Sequence, residues 1–135
     1  MNKQLQRVSF EQAMLLTEVG FYWDTFAPAF WYDELGNLNS TSFYPLIYYP
    51  APTTALVLKW FRDVKGLFGY VIFNTETFSK GYEWYYFSFS DKTISNRNTL
   101  DCIKSSYELA ESALVNSLIG ELLNLIEKEK ENESR

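Results

Sequence analysis

The sequence predicts an α+β domain in the order α-β-β-α-β-β-(β)-α, with three helices packed on a small antiparallel sheet. Three observations carry that expectation. Apolar residues recur at helical spacing in three separate stretches, two of them opened by a serine-led capping signal. The segments between those stretches are rich in aromatic and β-branched residues, the side chains that suit a pleated surface. The connections between neighbouring strand-like segments are also too short for a parallel crossover, so neighbours must run antiparallel.

Ser9-Phe10-Glu11-Gln12 has the S-x-x-Q form, in which the serine hydroxyl accepts from the amide three residues on and the glutamine reaches back. Ala13, Leu15, Leu16 and Val19 follow at helical spacing, and Gly20 stands where a left-handed residue would stop the helix, so the first helix is expected over 10–19. Phe30-Trp31-Tyr32-Asp33 and a run from Ser42 to Tyr49 flank the turn-forming Glu34-Leu35-Gly36-Asn37 and read together as a β-hairpin. Pro50-Ala51-Pro52-Thr53 ends that hairpin, because proline lacks the amide a ladder needs, and Pro52 suits the first turn of a helix. Leu56, Val57, Trp60, Phe61 and Val64 then form one apolar stripe, leaving Lys59, Arg62, Asp63 and Lys65 for water. This predicts a helix over 52–65 closed by Gly66.

Residues 67–74 and 81–90 read as a second antiparallel pair. The stretch 91–104 is interrupted by Asp91-Lys92, Asn96-Arg97-Asn98 and Asp101, which leaves room for one short strand, near Ile94 or across 100–103. Ser105-Ser106-Tyr107-Glu108 is the second capping signal. Leu109, Ala110, Ala113, Leu114, Leu118, Leu122, Leu125 and Ile126 continue from it as a long helix over 106–128. Residues 129–135 have no apolar side chain to bury and are expected to fray, so 1–128 is read as a single domain followed by a charged tail.

Composition narrows the chemistry. The chain has no histidine, the usual proton shuttle near neutral pH, and its single cysteine, Cys102, forms no CxxC pair and no intramolecular disulfide. No nucleophile elbow, phosphate loop or fixed carboxylate pair is present, so an enzyme, a metal or a cofactor is not expected. Asp24, Asp33 and Glu34 lie beside the aromatic run, where partial burial would raise a carboxyl's pKa. No apolar stretch reaches the roughly 18 uninterrupted residues of a bilayer span, and no leader opens the chain, so the expectation is a cytoplasmic protein without a membrane. The net charge of −5 is uneven: residues 99–135 hold 8 acids and 4 bases. Aromatic residues make up 19% of the chain and crowd into 21–32 and 82–89, and the first of these runs either lines a pocket or fills the core.

Several segments carry a resemblance. Ser9-Phe10-Glu11-Gln12-Ala13 with Gly20-Phe21 comes first, then Trp31-Tyr32 before the Gly36 turn. Tyr49-Pro50-Ala51-Pro52-Thr53 runs into Lys59-Trp60-Phe61-Arg62 and Gly66. Tyr107-Glu108, Ala110, Ala113-Leu114 and Glu121-Leu122-Leu123-Asn124-Leu125-Ile126 complete the set. Together these resemble a family of small uncharacterised proteins common in Bacteroidetes genomes and in the phages and mobile elements of those bacteria. Phe61 departs from the leucine more usual there, and 21–32 is unusually aromatic. The resemblance implies a cytoplasmic protein of phage or mobile-element origin and brings no catalytic residues.

Two sets of candidate interaction residues follow from the pattern. Tyr82, Trp84 and Tyr86 alternate along one strand and share a face, and stacking of bases on such a face is worth ~1–3 kcal/mol per base. The plainer reading is that a helix covers them. Glu83, Tyr85, Phe87 and Phe89 make an opposite face nearly as apolar, which suits a sheet covered on both sides or lying at an interface. Lys59, Arg62 and Lys65 project from the second helix, ahead of a strand-and-helix order like that of double-stranded RNA-binding modules. Three cations on an acidic chain, with no larger basic cluster, disfavour nucleic acid. The expectation is therefore a non-enzymatic protein-binding or adaptor protein, with a protein partner or self-association. The alternative is a small nucleic-acid-binding module using helix 52–65 and the strand aromatics.

Overall fold

The serine-led cap forms as its chemistry requires: Ser9 Oγ accepts from the Gln12 amide at 3.1 Å, and Gln12 Oε1 accepts from the Ser9 amide at 3.0 Å. In the computed structural model, which describes residues 6–21, 30–40, 45–74, 81–88, 93–95 and 104–133, this cap opens α1 (Phe10–Glu18). Val19 closes the helix and Gly20 follows at φ +84°. The chain then gives β1 (Trp31–Tyr32), β2 (Leu38–Asn39), β3 (Tyr49–Pro50), α2 (Thr54–Lys65), β4 (Leu67–Asn74), β5 (Gly81–Ser88), β6 (Thr93–Ser95) and α3 (Tyr107–Glu133). The class is α+β. The strands divide into two antiparallel three-stranded sheets rather than one, in the orders β2-β1-β3 and β4-β5-β6.

The residues fall into two compact units, 1–56 and 57–135. In the first, the Asp33–Asn37 turn reverses the chain as expected, but the strand it delivers to β1 is Leu38–Asn39. The end of the 42–49 run instead joins β1 from its other side as β3. The cause is the tight turn itself. Asp33 Oδ1 accepts from the amides of Leu35 and Asn37, both at 2.9 Å, so pairing begins at once. Pro50 ends an edge strand, the place in a sheet that tolerates a missing amide. Gly36 is required twice over: its φ is +88°, and a Cβ there would lie 2.9 Å from the Phe10 ring. That ring also meets Tyr32 at 5.6 Å and Tyr49 at 5.8 Å, which fixes α1 on the sheet.

Helix α2 starts two residues later than predicted because Pro52 and Thr53 are held extended against Gln6–Val8. The Val8 amide donates to the Pro52 carbonyl at 3.1 Å and the Thr54 amide to the Gln6 carbonyl at 2.9 Å, with Arg7 bridged to Thr53. Thr53, not Pro52, then serves the helix start, its hydroxyl accepting from the Leu56 amide at 3.3 Å. Val57, Trp60 and Phe61 of the predicted stripe are buried, whereas Val64 is 60% exposed.

In the second unit β4 and β5 pair over their full lengths, with Tyr70 opposite Tyr85 and Val71 opposite Trp84. Helix α3 packs across both strands. Ala110, Leu114, Val115, Leu118, Ile119 and Leu122 form its buried stripe, each large side chain worth ~1.5–3 kcal/mol relative to exposure. By length and composition α3 is also long and apolar enough to cross a bilayer, a length the sequence reading did not allow. Its cap is Ser106 rather than Ser105, since the Leu109 amide donates to Ser106 Oγ at 3.2 Å. The helix continues through Glu133, past its expected end at 128. Glutamate and lysine are good helix formers, and propagation adds one backbone bond for each residue fixed. β6 takes the Ile94 position for the short strand. Residues 1–5, the 22–29 part of the aromatic run with Asp24, residues 41–44, 75–80, 89–92, 96–103 with Cys102, and 134–135 lie outside the described residues.

Candidate interaction site

Alternation along β4 and β5 sorts their side chains onto two faces, and the register shows which belong together. Leu67, Gly69, Val71 and Phe73 share one face with Tyr82, Trp84 and Tyr86. Phe68, Tyr70 and Ile72 share the other with Glu83, Tyr85 and Phe87.

Helix α3 lies on the first face. Trp84 is only 6% exposed and stacks on Tyr86 with ring centroids 6.5 Å apart. The Tyr86 hydroxyl donates to Glu121 Oε2 at 3.3 Å, and the Tyr82 ring meets Tyr107 edge-on at 6.1 Å. Gly69 lets the helix come this close, because a Cβ at that position would be 2.9 Å from Leu114 Cδ1. The three rings that the sequence nominated for stacking therefore lie under a helix, the plainer of the two readings above.

The second face carries two exposed apolar side chains of β4, where the first carries Phe73 alone near the strand's end. Phe68 is 37% and Ile72 43% exposed, while Tyr70, Tyr85 and Phe87 are half-buried. Tyr70 and Tyr85 stack at 5.5 Å with only 13° between their planes, Phe68 leans on Tyr70 at 6.1 Å, and the Tyr85 hydroxyl donates to Glu83 Oε2 at 2.6 Å. The stacked rings and the Tyr85–Glu83 bond restrict the rotamers of Tyr70, Tyr85 and Glu83. The alternation along β5 alone identifies Glu83, Tyr85 and Phe87 but not their β4 neighbours Phe68, Tyr70 and Ile72. Gly69 was the signal that could have chosen between the faces, since a glycine inside a strand marks the side on which another element approaches.

The basic candidates are spread along α2. Arg62 Nε lies 3.1 Å from Asp63 Oδ1, Lys65 Nζ lies 5.4 Å from the Trp60 ring centroid, and Lys59 is exposed. Arg62 thus meets a carboxylate of its own helix, which lowers the field the three cations project together.

Among the described residues no three His, Cys, Asp or Glu side chains gather where they could hold a metal ion. Asp33 behaves opposite to the acid that partial burial would make. The backbone amide of Asn37 first, then the Asn37 side chain, the Leu35 amide and Asn39, hold its carboxyl below the usual range against a smaller opposing effect of burial. On α3, burial pushes the Glu111 carboxyl up; the Tyr107 hydroxyl opposes this and the charge of Glu108 adds to it. Tyr107 is raised as well, by burial and then by Glu111 and Glu108.

No protein-family model matches this chain, nor does any curated protein or solved structure.

Proposed function

We propose that this chain is a non-enzymatic protein-binding or adaptor protein of phage or mobile-element origin, acting in the cytoplasm, and that it meets its partner with the Phe68 face of the β4-β5-β6 sheet. The observation that carries the reading is the set Phe68, Tyr70, Ile72, Tyr85 and Phe87, apolar and aromatic, on the side of β4 and β5 away from α3. Aromatic residues are enriched at the buried centres of protein interfaces, and a flat face of pre-positioned rings binds at a low entropic cost. Glu83, bonded to the Tyr85 hydroxyl, adds one acceptor-rich point at which a donor of the partner can be read.

The test is affinity capture with the tagged protein from lysate of a phage-bearing host, with Tyr85→Ala run in parallel. One stoichiometric protein, retained at high salt and lost with the folded Tyr85→Ala variant, is the expected result. Capture of nuclease-sensitive nucleic acid that falls away steeply with salt, and that depends on Lys59, Arg62 and Lys65, would overturn it.

A further inference from the structure

β4 is an edge strand of unusual composition. It runs for eight residues, Leu67–Asn74, at one end of the order β4-β5-β6, and no strand lies on its outer side among the described residues. Natural edge strands are commonly protected by lysine, proline, a bulge or brevity, and otherwise pair with other chains. Leu-Phe-Gly-Tyr-Val-Ile-Phe-Asn contains no charge and no proline, and it pairs with β5 at every position without a bulge. Phe68, Ile72 and Phe73 remain exposed along it, Phe73 at 54%.

We propose that β4 pairs antiparallel with β4 of a second copy of this chain, about a two-fold axis normal to the sheet at Tyr70. The two sheets then join as β6-β5-β4-β4-β5-β6. Such an axis keeps both Phe68 faces on one side, so residues facing each other must come from the same face, and a residue sits opposite itself at the axis. With Tyr70 there, Phe68 lies opposite the second copy's Ile72, Leu67 opposite its Phe73, and Gly69 opposite its Val71. Each pair is same-faced in the register that β4 keeps with β5. Moving the axis to Val71 sets Phe68 against Asn74 and Phe73 against Gly69, which matches apolar side chains poorly.

The self-matching apolar register, with Phe68 against Ile72 and Leu67 against Phe73, is what selects a second copy over a foreign strand, and net charge works against it only from a distance. Two molecules of net charge −5 repel each other, and the strand through which they would touch is neutral throughout, so the pairing brings no like charges opposite one another. A strand pair with its flanking rings is an interface at the small end of the specific range, roughly 1,200 Å² or less, so association belongs at micromolar concentrations.

Sedimentation equilibrium of the full chain across roughly 1–100 µM, the range such an interface implies, tests this. The expected mass is twice the 15.8 kDa of one chain. Ile72→Lys sets a charge against the second copy's Phe68 at two places in the dimer and should weaken association about tenfold or more, with an unchanged circular dichroism spectrum. In a Cys102→Ser background Tyr70→Cys should form a covalent dimer on mild oxidation and Ile72→Cys should not, because only residue 70 meets its own copy. A monomer at all concentrations overturns the pairing, as does a dimer indifferent to Ile72→Lys, or one cross-linked through 72 and not 70. A monomer that still captures its protein partner leaves the adaptor reading standing, and a dimer that captures nothing removes that reading alone.

Discussion

Two carboxyls respond to pH with opposite signs. Asp33 is held below its ordinary value by the amides of its own turn, so the folded state favours its charged form. The stability it supplies is present above the unfolded value and is lost as pH falls through the carboxylate range. Thermal melts should show Asp33→Ala destabilised at pH 7, with the gap to the unsubstituted protein narrowing as pH falls below the ordinary aspartate range. Glu111 is raised, chiefly by burial, so the folded state favours its neutral form and the protein loses stability as pH rises through the same range. Glu111→Gln should therefore match the parent near pH 4 and melt above it at pH 7. The Asp33 site was legible as a turn from Asp33-Glu34-Leu35-Gly36-Asn37, because an aspartate bonding forward to the next amides is a local event. Its pKa was not legible, since proximity to aromatic residues in sequence does not say whether burial or hydrogen bonding dominates.

Helix α3 comes close to the β4–β5 pair at Gly69, where the strand has no Cβ and Leu114 fills the space. Leu114→Ala should cost about 2–5 kcal/mol through the cavity it leaves. Gly69→Ala should cost about 1–3 kcal/mol through overpacking. Introduced together they share one volume, and denaturant titration should find the double variant less destabilised than the sum of the two singles. At this scale α1, α2 and α3 were read well, because caps and apolar spacing are written in consecutive residues. The errors lie where a distant segment competes for the same backbone groups. Gln6–Val8 holds Pro52 and Thr53 extended and delays α2, and no pattern within 50–54 contains that information. The cap at Ser106 rather than Ser105 is a choice between two equivalent neighbours that sequence alone leaves open.

Over the whole molecule, residues 127–132 of α3 are exposed, so helicity there reflects propensity rather than packing. Ending the chain at Lys128 should change the free energy of unfolding by less than about 0.5 kcal/mol, measured by denaturant titration. The candidate interaction site was half legible. The strand aromatics were visible as two alternating sets on β5, but the set first nominated, Tyr82, Trp84 and Tyr86, lies beneath α3, and the opposite set includes the exposed Phe68 and Ile72 of β4. The sequence by itself determined the α+β class, the three helices, the cap at Ser9 and the Asp33–Asn37 turn, because each depends on spacing and hydrogen bonds within a few residues. Tertiary structure alone decided that the strands form two sheets, that Leu38–Asn39 and Tyr49–Pro50 flank Trp31–Tyr32, and that α3 packs on the Trp84 face while Phe68 and Ile72 on the other stay exposed. Both faces of the β4–β5 pair are apolar enough to be buried, and the choice between them falls to the close approach that Gly69 permits on one side.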